Sequence, residues 1–227
     1  MIQKFLRFVP PYTWIPITLA LVFNLLVYYC PNRFFALTSP SVDVTIPIDG
    51  QLPFLSFFVL IYVLAYVQWA GSYIWHGRDS VKLCYHIVTA DCIAKLLCLI
   101  IFLAMPTQTV HPAISDNTVF DHGMRMIFAV DRPINLFPSI HCLESWICFR
   151  GAMMLSKKNG WYIAAQGVFT LLVFASTLFT KQHLILDIPA GILVGEIGLF
   201  LSKRFNLWRF MNKLQPRKIR PDVSVVG

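Results

Sequence analysis

Apolar residues fall into six long runs with few charges, at about 14–30, 54–74, 84–105, 139–156, 161–180 and 184–202. A helix crosses the ~30 Å hydrocarbon core with about 20 apolar residues. The runs therefore predict an all-α integral membrane bundle of six transmembrane helices, with both termini on one side of the bilayer. The segments expected on the opposite side are a loop at 31–53 rich in Pro and Ser, a longer one at 106–138, and a tight junction at 180–184. No internal repeat or low-complexity stretch interrupts the pattern.

Composition agrees with this reading. The 227 residues are 57% hydrophobic and 13% charged, with a mean hydropathy of +0.64, which excludes a large soluble domain on either face and a disordered chain. The organisation expected is one transmembrane domain over 1–227, with a motif-bearing core at about 50–200 and a basic cytoplasmic tail at 203–227. The segment Met1–Pro16 carries Lys4 and Arg7 but no small-residue cleavage site after its first apolar run, so a retained first helix is expected rather than a signal peptide.

A net charge of +8 and a pI near 9.3 raise the question of a polyanionic partner, and the placement of the basic residues decides it. With a cytoplasmic N-terminus, Lys4, Arg7, Arg78, Lys82, Lys157, Lys158, Lys203, Arg204, Arg209, Lys213, Arg217, Lys218 and Arg220 all lie inside. Only Arg33, Arg125, Arg132 and Lys181 lie outside, and Lys95 and Arg150 fall within spans. Such asymmetry is that of membrane topology, and no nucleic-acid partner is expected. The tail interleaves its cations with Trp208 and Phe210, as a segment lying on an anionic leaflet does.

Several polar residues have a plain structural expectation. The six cysteines lack metal-type spacing and suit small buried hydrophobes. His111, Asp116, Asp121 and His122 match no specific metal site and suit a solvated loop, so no metal is expected. Asp91 and Lys95, four apart, can pair within the third span. Glu144, one turn after His141, is placed to tune that ring or to be held protonated, and Arg150 has no evident partner.

The remaining polar chemistry collects at the outer face. The run RMIFAVDRPINLFPSIH sets Arg125, Arg132, Ser139 and His141 at or just before the fourth span. The run STLFTKQHLILD sets Ser176, Thr177, Lys181, His183 and Asp187 at the junction of the fifth and sixth. Two imidazoles and three cations beside a helix start suit an oxyanion of several charges, for which phosphate is the natural candidate.

These residues resemble the type 2 phosphatidic acid phosphatase superfamily, integral lipid phosphatases related to vanadium haloperoxidases and to lipid head-group transferases. Its signature is Lys, six residues, then Arg-Pro; Pro-Ser-Gly-His; and Ser-Arg, five residues, His, three residues, Asp. Here Arg125 stands in the Lys place before Arg132-Pro133. Pro138-Ser139-Ile140-His141 carries Ile for Gly, and Ser176-Thr177, His183 and Asp187 carry Thr for Arg. The run from Ile48 to Phe54 is similar to bacterial members of the superfamily.

The resemblance implies a metal-independent lipid phosphatase without a cofactor, using a phosphohistidine on His183. Asp187 would orient that ring, and His141 would protonate the leaving group and later activate water. Arg132 and Arg125 would neutralise phosphate oxygens. Ser139 would hold one at the helix start, Ser176 and Thr177 would line the site, and Lys181 would restore the charge that Thr177 lacks. The substrate implied is a lipid phosphate or diphosphate monoester, such as phosphatidate, phosphatidylglycerol phosphate or polyprenyl diphosphate, drawn from surrounding membrane lipids. Two alternatives stay open: a lipid phosphotransferase of the sphingomyelin or inositol-phosphoceramide synthase type, and a non-catalytic lipid-phosphate binder or flippase. Oligomeric state is not legible.

The charge asymmetry makes one direct prediction. A reporter fused after Leu103 should register the extracytoplasmic side and one fused after Ser202 the cytoplasm, whereas labelling of the 106–138 loop only from the cytoplasm would overturn the topology.

Overall fold

The computed structural model describes residues 8–34, 41–115 and 117–221; Lys4, Arg7, Asp116 and the side chain of Arg33 lie outside the described residues. The described residues are all-helical, with isolated bridges in place of any β-strand. The α-helices are α1 (Trp14–Phe34), α2 (Val59–Asp79), α3 (Val81–Ala104), α4 (Val119–Val130), α5 (Ile140–Met153), α6 (Gly160–Phe179), α7 (Asp187–Arg204) and α8 (Arg209–Leu214).

Among the described residues, four helical stretches are long and apolar enough to cross a membrane: Pro11–Pro31, Ser56–Asp79, Val81–Ala104 and Gly160–Phe179. The other two expected spans form helices of a different kind. At 14 residues α5 is only ~21 Å long. The 18 residues of α7 include Asp187, Glu196, Lys203 and Arg204. α5 is buried along most of its length, whereas α7 buries one face and leaves Leu193, Ile197 and Phe200 exposed on the other. α5 packs on α2, α3, α6 and α7, so protein covers most of its surface, and α7 packs on α3 and α5.

Boundaries shift where the expected edge followed hydropathy alone. The second span continues through His76, Gly77 and Arg78 to Asp79, because these residues are compatible with a helix although polar. Ser80 alone separates α2 from α3, and its Oγ accepts the Leu83 N–H at 3.2 Å as an N-cap. The 106–138 loop holds an additional helix, α4. It opens on a capping box in which Thr118 accepts the Asp121 N–H and Asp121 accepts the Thr118 N–H, both at 3.1 Å.

Glycines let α7 approach its neighbours at backbone distance. A Cβ on Gly198 would collide with the Ala90 carbonyl of α3, and one on Gly191 would stand 2.6 Å from the Ser139 carbonyl at the start of α5. Small residues at such contacts give close packing where lipid supplies no hydrophobic driving force. In the opposite surface region Trp208 and Met211 are buried, Gln215 donates to the Tyr12 carbonyl at 2.9 Å, and the tail packs against α3.

At the centre stands the ammonium group of Lys95, 1% exposed. It donates to Asp91 Oδ2 at 2.9 Å, to the Ala20 carbonyl of α1 at 3.1 Å, and to Glu144 of α5. Its three N–H donors are thus used on three helices. The expected Asp91–Lys95 pair is formed. Glu144 belongs to the same cluster rather than to His141 alone, and Arg150 finds Glu196 of α7 at 3.2 Å. Removing one partner strands buried charge at a cost of about 3–5 kcal/mol. Lys95→Met should therefore lower the unfolding temperature in detergent sharply, and adding Asp91→Asn with Glu144→Gln should recover most of the loss; equal stability of wild type and Lys95→Met would refute the central role of this ammonium.

Candidate active site

The end of α6 positions His183 through its backbone. Thr177 O accepts N–H groups from both Gln182 and His183 at 3.1 Å, and Leu178 O accepts that of Lys181 at 3.0 Å. This is a Schellman closure, with Lys181 in the left-handed region at φ 56°. A lysine enters that region at a cost of about 1 kcal/mol. The turn is latched from outside by buried Asp49. Its two carboxylate oxygens accept the Ile46 and Ile185 N–H groups at 2.9 Å, and its main-chain oxygen accepts Lys181 Nζ at 3.1 Å.

His183 Nδ1 lies 3.1 Å from Asp187 Oδ2 and 3.0 Å from the Leu136 carbonyl. A carbonyl only accepts, so Nδ1 carries the hydrogen, and in the neutral ring the lone pair resides on Nε2. Asp187 is fully buried at the first position of α7, and its Oδ2 also accepts the Leu184 N–H at 2.9 Å. Its main-chain oxygen accepts the Ser139 N–H at 3.2 Å, which joins the starts of α5 and α7. The Leu136 carbonyl is held in turn by buried Thr107. Its Oγ1 accepts the Leu136 and Phe137 N–H groups at 2.8 and 3.1 Å, and its main-chain oxygen accepts that of Asn135 at 2.8 Å.

His141, in the first turn of α5, is boxed by aromatic rings of α2. Tyr62 stacks on it with centroids 4.0 Å apart, and Trp69 and Tyr66 meet it edge-on at 5.0 and 5.4 Å. The box is itself anchored. The Tyr62 hydroxyl donates to Asp131 Oδ2 at 3.0 Å and Trp69 Nε1 donates to Ser145 Oγ at 3.0 Å. Burial pushes the Asp131 carboxyl above its ordinary range, partly offset by the Tyr62 hydrogen bond and by the nearby His183.

The two histidine rings lie 6.3 Å apart, centroid to centroid, on a cavity of about 270 Å³ that Asp131, Arg132, Asn135 and Gln182 also line. Among the described residues, His141 Nε2, Gln182 Nε2 and both polar atoms of the Asn135 side chain are buried without a hydrogen-bond partner. Buried polar atoms are almost always paired. The four orphans belong to His141, Gln182 and Asn135, which line one cavity together with Arg132, a residue set that suits a ligand rich in oxygen.

The expected site residues thus divide. His183, Asp187, His141 and Arg132 come together. Arg125 lies on exposed surface of α4, outside the cavity lining. The hydroxyls of Ser139, Ser176 and Thr177 are fully buried and serve the backbone. Ser139 Oγ caps α5 by accepting the Cys142 N–H at 3.3 Å, while Ser176 and Thr177 donate to the Val173 and Phe174 carbonyls at 2.8 Å. Lys181 braces Asp49 and does not line the cavity. Sequence reasoning passed over Tyr62, Asn135, Gln182, Asp49 and Thr107, although Asn135 and Gln182 stood inside the two quoted runs. His111 stacks on Phe128 at 3.7 Å, His122 bonds the Thr118 carbonyl at 2.9 Å and Asp121 caps α4; among the described residues no three potential metal ligands gather.

No protein-family model, curated protein or solved structure matches the chain. The geometry makes a prediction that needs no substrate. Nitrogen-15 NMR of histidine-labelled protein should show neutral His183 protonated on Nδ1, and Asp187→Asn should leave this tautomer in place because the Leu136 carbonyl remains; an Nε2-protonated His183 would contradict the assignment.

Proposed function

We propose that the chain is a six-span integral membrane lipid phosphatase that hydrolyses a phosphate or diphosphate monoester of a lipid through a phosphohistidine. The observation that carries this is the pairing of an Nδ1-anchored His183 with His141 and Arg132 on one cavity whose buried polar atoms lack partners. The lone pair of Nε2 attacks phosphorus as the bond to the leaving oxygen breaks, and the Asp187 carboxylate stabilises the cationic ring through Nδ1–H. His141 gives its proton to the leaving oxygen. It then takes one from water, whose oxygen attacks phosphorus while the N–P electrons return to His183.

Arg132 balances charge on the equatorial oxygens. The amides of Asn135 and Gln182 are the donors we assign beside it, in a site where Thr177 brings no cation. Histidine and basic side chains carry the reaction in this scheme, and no metal or other cofactor enters it. Two further helices, the buried α5 and the half-exposed α7, complete a bundle whose basic segments face the cytoplasm and whose site faces outward, with the hydrocarbon phase supplying the substrate.

In detergent with a panel of lipid phosphates, wild-type protein should release inorganic phosphate, His183→Ala should lose turnover and the phosphohistidine together, and His141→Ala should slow turnover at least ~100-fold. Vanadate should inhibit by taking the five-coordinate geometry at His183, and chelators should not. Normal phosphate release from His183→Ala sinks the mechanism. Transfer of label mainly to diacylglycerol or ceramide would make the protein a transferase.

A further inference from the structure

The cavity does not end at the polar groups. Beyond them it is lined by Leu25, Tyr28 and Tyr29 of α1 and Phe102 of α3, and by Tyr66 of α2, whose ring also meets His141 edge-on. Three of these are also on the outer surface: Leu25 is 56% exposed, Tyr29 62% and Tyr66 47%. They belong to two of the helices long and apolar enough to cross a membrane. α1 packs along α3 and α2 packs on α3, α5 and α6, but among the described residues α1 and α2 make no substantial interface with each other. The rim is therefore a lateral gap between α1 and α2. Above it the Tyr28 hydroxyl donates to the Val130 carbonyl and ties α1 to the end of α4.

We propose that this gap is the seat of the substrate's hydrocarbon chain, which leaves the polar end of the cavity sideways between α1 and α2, past Leu25, Tyr29 and Tyr66, into the bilayer. The inference rests on the lipid-phosphatase reading and adds to it where discrimination resides. A volume of about 270 Å³ matches roughly nine waters at ~30 Å³ each, enough for a phosphate and the first few carbons and too small for a whole acyl chain. The remainder must lie outside the cavity, and a flank made of Leu25, Tyr29 and Tyr66 solvates hydrocarbon and not water. The occupant fits both ends of one continuous cavity: an anion among Arg132, His141 and His183, and a chain against the aromatic flank. Selection for chain-bearing phosphates then belongs to α1 and α2, while the headgroup contacts set the chemistry.

The test uses full-length protein in detergent with two simple esters, dodecyl phosphate and water-soluble butyl phosphate. Leu25→Trp and, separately, Tyr29→Trp fill the gap from exposed positions that touch neither histidine. Each should lower kcat/KM for the dodecyl ester about tenfold more than for the butyl ester. An equal loss on both esters overturns the portal. A second measurement does not depend on turnover: dodecyl phosphate bearing a diazirine at the chain end should label peptides of α1 and α2, in wild type and His183→Ala alike, and excess unlabelled dodecyl phosphate should suppress the label. Suppressible labelling without phosphate release from either ester would uphold the portal and remove the phosphatase reading; labelling confined to other helices would remove the portal.

Discussion

The arrangement depends on one buried cation. Lys95 gathers acceptors from α1, α3 and α5 around a single ammonium, and each of those helices is constrained in rotation and depth by that geometry. An ammonium in a membrane interior is tolerated only when its donors are met, so the three helices must reach it together. α5 gains most from this. It is too short to be held by the match of its length to the bilayer, and Glu144 and the Arg150–Glu196 contact fix it along its axis instead. His141 stands one turn from Glu144, so the depth of the cavity floor follows from the position of an ion cluster that does not line the cavity.

The fold class and the general run of helices were legible because apolar length is a one-dimensional signal. Their edges were less so. Hydropathy reports whether a segment tolerates lipid, whereas a helix ends where its hydrogen bonds end, and the polar last turn of α2 satisfies the second condition without the first. α4 escaped for the opposite reason. It is amphipathic, so an average over its window conceals it, although Thr118 and Asp121 spelled a capping box in advance. α7 exposes the limit most clearly. Gly191 and Gly198 carry almost no hydropathy, yet they are what allow α7 to lie against α3 and α5.

Within the site, the legible residues are those whose chemistry is local. His183 and Asp187 are four apart, and that spacing already lets ring and carboxylate meet. The hydroxyl residues illustrate the reverse. Ser139, Ser176 and Thr177 have side chains that suit either a ligand or a neighbouring backbone group, and only the folded chain shows the second choice. Tyr62, Asn135 and Gln182 gain meaning from the approach of α2, the 131–139 segment and the 180–186 turn, an arrangement no single stretch encodes. Asp49 joins the same turn from a loop more than a hundred residues away in sequence, since it bonds Lys181 and Ile185 at separations of 132 and 136 residues.

The acceptor that keeps the hydrogen on His183 Nδ1 in the absence of Asp187 is a main-chain carbonyl, and this has an evolutionary consequence. A carbonyl cannot be substituted away. Position 136 is therefore open to drift among side chains that fill the same buried space, with no mark on the tautomer. What variation can disturb is the path of the peptide, and that path is held by the hydroxyl of Thr107, 29 residues upstream of Leu136. Natural selection on the His183 tautomer would thus be felt at the threonine that orients the Leu136 peptide, and serine, which retains the hydroxyl, is the replacement it would tolerate there.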